Sequence, residues 1–289
     1  MGIPIWDRMN LRDQFNLERL WRRRPVVSVL RFEGVIMPRP RRGGLSLASH
    51  AAAIERAFRA SGLVAVAIVV NSPGGSPVQS ALLCRRIRQL AEEKRIPVIA
   101  FAEDVAASGG YWLALAGDEI FTEETSLIGS IGVISAGFGF YQLLGRLGVE
   151  RRLHTAGERK SLLDPFLPED PADITRLTGL QEDIHQAFKE HVRRRRAGKI
   201  DEADDTLFTG DVLTGRMAMD RGLVDGIGEL RAVMRARYGD KVRLRPIAAE
   251  RRRLPFLSRL PFVRREPVLL ISELVDWLEG RLLWARFGL

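Results

Sequence analysis

The chain has 289 residues, 46% apolar and 28% charged, with a net charge of +9. That length and balance suit one large α/β domain or two small ones around a real core, and exclude a disordered chain. The single cysteine, Cys84, excludes an intrachain disulfide.

In chain order, residues 1–24 read as an amphipathic extension, with Trp6, Met9, Phe15, Leu20 and Trp21 set among charges. It lacks the apolar core of a secretory signal peptide, and no run in the chain reaches the roughly 18 apolar residues that span a bilayer. A chain made and kept on the cytoplasmic side is therefore expected. The β-branched "PVVSVLRFEGVI" (25–36) predicts the first strand. A basic loop, "PRPRRGGLS", and a helix over 47–60 follow. "LVAVAIVV" (63–70) is a continuous apolar run of the kind buried on both faces of a parallel sheet. "NSPGG" then turns into a helix over 77–94, whose apolar side carries Cys84 as a small buried hydrophobe. "PVIAFAE" (97–103) predicts the next strand, and "DVAASGGYWLALAG" turns from it into a short helix. Then come the strand "DEIFTE", the segment "TSLIGSIGVI", a helix near 138–147, a strand in "VERRLHTAG", and a long charged helix over 169–197. "TGRMAMDRGLVDGIG" (214–228) predicts helix, turn and short strand. Residues 246–265 are rich in Pro and Arg, as a linker would be. The stretch to residue 289 reads as a terminal amphipathic helix carrying Leu270, Leu274, Trp277, Leu278 and Trp284.

Strand–helix alternation predicts a parallel sheet with helical cover. Ligands gather at the carboxyl ends of such strands, and both glycine turns, "NSPGG" and "ASGG", fall there. Ser108 has two readings. It is either the N-cap of a short helix or a nucleophile on a tight elbow with bare N–H groups beside it.

Other chemistry is excluded by pattern. The four histidines, His50, His154, His185 and His191, form no H-E-x-x-H, so neither a metal nor a cofactor is expected. There is no G-x-S-x-G, because Ala106 stands where the first glycine would be. "GERKS" (157–161) lacks the glycine before lysine that a phosphate loop requires. The arginine clusters at 22–24, 193–196, 251–253 and 264–265 are scattered and carry no RNP, KH or zinc-finger pattern, so no nucleic-acid partner is expected. A serine nucleophile without a histidine can use a lysine as base. Lys160, in "HTAGERKSLLDPF", is the candidate, following a strand and preceding an apolar turn that could desolvate its amine.

"NSPGG", "ASGGYW", "SLIGSIGV", "GERKSLLDPF" and "GRMAMDRGLVDGIG" occur in the order found in the signal peptide peptidase A family. The chain resembles the short, single-domain members of that family over about residues 26–235. The resemblance implies an α/β, Clp-protease/crotonase-like fold of repeated β-β-α and βαβ units, here with helical N- and C-terminal extensions. The expected division is an extension over 1–24, a peptidase domain over 25–245, and a basic linker with a C-terminal helix over 246–289. The resemblance also implies roles: Ser108 as nucleophile, Lys160 as general base, Ser130 as the hydroxyl that orients the lysine amine, and Gly75 and Gly109 N–H as the oxyanion donors. For Ser130 the plainer reading is a buried hydroxyl bonded to backbone.

The expected activity is hydrolysis of hydrophobic or signal-peptide-like peptides by a homo-oligomer in which Lys160 can serve a neighbour's Ser108. A crotonase-like acyl-CoA enzyme and an idle oligomeric scaffold at a membrane are the alternatives. Many relatives carry a membrane-spanning N-terminal helix, whereas here only peripheral contact with an anionic inner membrane face is expected. That contact would use the tryptophans of the two ends with Arg19, Arg22–Arg24, Arg281 and Arg286.

Overall fold

The computed structural model describes residues 24–38, 44–157 and 159–248, with 281, 284, 285 and 287. The two amphipathic ends expected from the sequence lie almost wholly outside the described residues. Among the described residues eight strands form one sheet: β1 (Val26–Glu33), β2 (Leu63–Ser72), β3 (Val98–Ala107), β4 (Glu119–Thr122), β5 (Leu127–Gly129), β6 (Val212–Thr214), β7 (Gly226–Ile227) and β8 (Arg243–Pro246). Their order is β6-β5-β3-β2-β1-β8, with β4 beside β3 and β7 beside β4. Every pairing is parallel except β5 with β6. The apolar run in β2 is explained by its place. Ala65 to Val70 are covered on both faces, as parallel-sheet strands are.

The helices are α1 (Leu47–Ala57), α2 (Pro77–Lys94), α3 (Gly109–Ala114), α4 (Tyr141–Arg146), α5 (Pro171–Arg195), α6 (Gly215–Asp220) and α7 (Leu230–Tyr238). Ser46 starts α1 through a capping box with Ser49, and Ser76 caps α2 just before Pro77. On one face of the sheet, Ile54, Leu83, Ile87, Leu113, Phe188 and Val192 pack on Leu30, Ile68 and Ala100. On the other face, Met234 of α7 covers Val27, Val29, Ala67 and Ile99. This is the α/β class that the alternation predicts.

β3 is forked. Its first half pairs with β4 through Ile99–Ala102, and its last three residues, Val105–Ala107, pair with β5. On its other side β2 accompanies it to Ala106, opposite Ser72. The chain therefore leaves β3 between two partners, so the start of α3 is held from both sides. β3 also runs four residues past the predicted "PVIAFAE", because Glu103 and Asp104 find partners. Glu103 pairs with Arg31, one contact being 2.8 Å, and Asp104 accepts from Asn71 at 2.6 Å.

The strand expected in "VERRLHTAG" does not form. Residues 151–155 have no ladder partner and are exposed. They belong to an arm spanning about 133–170 whose two limbs meet at Phe140–Phe166, 5.6 Å between ring centres, and Arg151–Asp164, 2.9 Å. The sequence reading also missed α7, the cover of the second face.

One buried ion pair locks the C-terminal part of the core. Asp225 accepts from Arg196 at 2.7 Å, Lys199 at 2.5 Å and the Ile120 N–H at 2.8 Å. Burial works to raise the carboxyl's pKa, but these hydrogen bonds outweigh it and hold the group below its ordinary value. Arg196 is only 2% exposed. Asp225→Asn leaves that cation without its counter-charge, and a loss of about 3 kcal/mol is expected from denaturant unfolding at pH 7. A carboxylate whose folded pKa is depressed stabilises above its unfolded pKa, and the contribution fades as pH falls through the folded one. The gap between wild type and variant should therefore narrow below about pH 4.

Candidate active site

Ser108 stands between β3 and α3 with φ 52° and ψ −122°, a conformation that non-glycine residues rarely adopt. Its side chain makes no cap hydrogen bond. This decides against the helix-cap reading, since a capping serine has extended backbone and bonds the N–H two or three residues on. The elbow is held by backbone: Ser108 N–H donates to Gly129 O at 2.8 Å, and Trp112 N–H to Ser108 O at 3.0 Å. The two glycines after it are required by crowding. A Cβ on Gly109 would collide with Ser80 Oγ, and one on Gly110 with Ser72 O.

The loop after β2 closes against this elbow. Ile36 N–H donates to Gly74 O at 2.8 Å and Ser76 N–H to Ile36 O at 2.7 Å, so the bridge passes over Gly75 and leaves its N–H out of the ladder. Gly109, as the first residue of α3, has no helical acceptor for its N–H. Among the described residues neither group donates to a backbone carbonyl. The Gly75 nitrogen lies 3.4 Å from where a Gly109 Cβ would be. Two neighbouring N–H donors beside a half-buried serine hydroxyl can stabilise a negative oxygen formed on an acyl group that the serine attacks.

Ser130 follows β5 directly, one residue beyond the Gly129 carbonyl that holds Ser108. It also has positive φ, 49°, and is 7% exposed. Its N–H donates to Asp211 O at 2.7 Å. Its hydroxyl has no hydrogen bond to backbone among the described residues, so the plain reading of Ser130 lacks its expected partner. The fold thus brings Ser108, Ser130, Gly75 and Gly109 to the carboxyl ends of adjacent strands.

Lys160 is placed differently. It sits in the exposed arm, on a stretch of turns before α5, and no hydrogen bond or ion pair joins it to Ser108 or Ser130. The apolar turn beside it does not bury its amine within a single chain.

Sequence reading did not connect Cys84 with His191, which are 107 residues apart. Their Sγ and Nε2 atoms meet at 3.6 Å between α2 and α5. Burial pushes the thiol up to about 12. Burial, with Arg194 and Arg195 nearby, pulls the imidazole down to about 4. Both are neutral at pH 7, so this pair is packing and not a thiolate nucleophile.

The profile of peptidase family S49 matches residues 90–242, a stretch that holds Ser108, Ser130 and Lys160. The chain belongs to this family. The match bears out the resemblance to the signal peptide peptidase A proteins. A Brucella abortus (strain 2308) protein named Na(+)/H(+) antiporter NhaA is 49% identical over 273 residues, covering 91% of this chain and 37% of that protein. The chloroplastic serine protease SPPA of Arabidopsis thaliana is 36% identical over 180 residues, 61% of this chain and 26% of that one. This S49 chain therefore spans well under half the length of either relative. Among solved structures, the 1510-N membrane-bound stomatin-specific protease aligns with a TM-score of 0.49 and 18% identity, over 79% of this chain and 100% of that one.

Proposed function

We propose that the chain is a serine endopeptidase working through a Ser108–Lys160 dyad on hydrophobic or signal-peptide-like peptides. The observation that carries this reading is the strained, uncapped Ser108 elbow beside the two N–H groups of Gly75 and Gly109. Ser108 Oγ adds to the peptide carbonyl while the neutral Lys160 amine takes its proton. The carbonyl oxygen becomes an oxyanion between the two N–H groups. The C–N bond breaks as the ammonium returns its proton to the leaving amine, and water then hydrolyses the acyl-enzyme by the same proton route. Ser130 orients the lysine amine. Turnover of fluorogenic hydrophobic peptides that is lost in Ser108→Ala tests the reading. Acyl-CoA binding without peptide turnover would favour the crotonase-like alternative.

The working unit is a homo-oligomer in which a neighbour's arm delivers or desolvates Lys160. Within one chain Lys160 is exposed, and so are Ile134 (63%), Phe138 (74%), Tyr141 (53%), Leu147 (65%) and Val149 (52%) on the same arm. Apolar side chains gain about 1.5–3 kcal/mol each on full burial, and a second copy can bury them together with the amine. The double variant Phe138→Asp, Leu147→Asp is expected to sediment as a monomer with at least a tenfold loss of turnover. A monomer with undiminished activity would remove the shared site.

The protein is further proposed to reside on the cytoplasmic side and to touch the inner membrane face peripherally. No helix among the described residues is long and apolar enough to cross a membrane. Flotation with anionic liposomes should be salt-sensitive and lost on deleting residues 1–24. Indifference to such vesicles would leave the two ends as assembly elements.

A further inference from the structure

His185 on α5 meets the loop that carries Ser130. Its Nε2 lies 3.1 Å from Ile131 O, and since a carbonyl can only accept, Nε2 carries the proton. We propose that His185 is a positioning residue that holds Ser130 in its working geometry, an inference that rests on the dyad reading above.

The reason lies in the strain of the loop. A non-glycine residue at positive φ persists only where its surroundings over-determine it. Ser130 is tied on the strand side by Gly129 O to Ser108 N–H and on the β6 side by its own N–H to Asp211 O. Gly132 N–H folds back to Ser130 O at 2.9 Å, a tight turn centred on Ile131. That turn leaves Ile131 O facing α5, and His185 is the tie on that side.

α5 is itself anchored to the nucleophile's helix. Arg195 donates through Nε to Leu115 O and through Nη2 to Gly117 O, both at 2.8 Å, holding the carbonyls just past α3. Trp112 of α3 stacks on Phe188 at 4.8 Å and on His191 at 4.9 Å. His185 and Arg195 are ten residues apart, about 15 Å along a rigid helix. One helix therefore fixes the Ser130 loop relative to the helix that begins at Ser108. A short α3 could not hold that spacing alone.

The test uses three variants of the full chain at this half-buried site. In His185→Gln the side-chain amide nitrogen falls where Nε2 is. In His185→Asn it falls short, near the Nδ1 position, and His185→Leu removes the donor. We expect the glutamine variant to keep kcat within about threefold of wild type. The asparagine and leucine variants should lose at least tenfold in kcat with little change in KM, the split expected when an interaction matters in the transition state. Hydrogen–deuterium exchange over residues 128–134 answers independently of turnover, and should rise in the asparagine and leucine variants but not in the glutamine variant. Unchanged exchange and kcat in His185→Leu, or a glutamine variant as impaired as leucine, would overturn the positioning role. Loss of the dyad reading has a different signature: wild-type turnover that survives Ser108→Ala, whatever the exchange at 128–134 shows.

Discussion

Ser108→Ala and Lys160→Ala are each expected to lower peptide turnover roughly 10⁴-fold or more, and the double variant to be little worse than either. In the proposed mechanism the two groups act as a unit. Without Ser108 there is no atom to acylate, and without Lys160 the hydroxyl keeps its proton. Neither side chain carries a structural hydrogen bond among the described residues, so melting temperatures should stay close to wild type. Only a neutral amine can accept the proton. Wild-type turnover should not respond to chelators. A Lys160→Ala protein that retains substantial activity would remove the lysine from the mechanism.

Gly75→Ala carries the second large effect, on stability and rate together. Gly75 has φ 132°, and a Cβ there would collide with Ile36 O, with Ile36 C at 3.0 Å and Ile36 N at 3.1 Å. These are backbone atoms in a bridge and cannot swing aside. The loop must back away, at a cost on the order of 3 kcal/mol. Its N–H moves with it, and losing one oxyanion donor costs about 10²–10³ in kcat. Denaturant midpoint and kcat measured on the same preparation check both parts. A destabilised variant with wild-type kcat would show that the Gly75 N–H does not face the reacting oxygen.

The parallel core was legible because β2 and β3 are apolar runs each followed by a glycine turn, a pattern that leaves little choice of structure. Ser108 was ambiguous because serine before glycine suits a cap as well as an elbow. Only the backbone angle and the absent cap bond separate the two. The fork of β3 was not legible, since pairing between Val105–Ala107 and Leu127–Gly129 depends on sheet order and not on local pattern. α7 escaped notice because its apolar residues, Leu230, Val233 and Met234, are few and set among arginines. Lys160 was expected to be desolvated by its own turn. Its exposure reflects an arm whose apolar side chains have no cover within the single chain, something helical periodicity cannot distinguish from core.

The two serines at positive φ place this fold under a selective tension. Glycine at position 108 or 130 would relieve backbone strain of about 1–3 kcal/mol at each, so a sequence optimised for thermal endurance alone would drift toward glycine at both. Stabilisation campaigns that rank substitutions by melting temperature should score Ser108→Gly and Ser130→Gly as improvements while discarding the two hydroxyls. On the proposed mechanism, robustness and reactivity compete at individual codons.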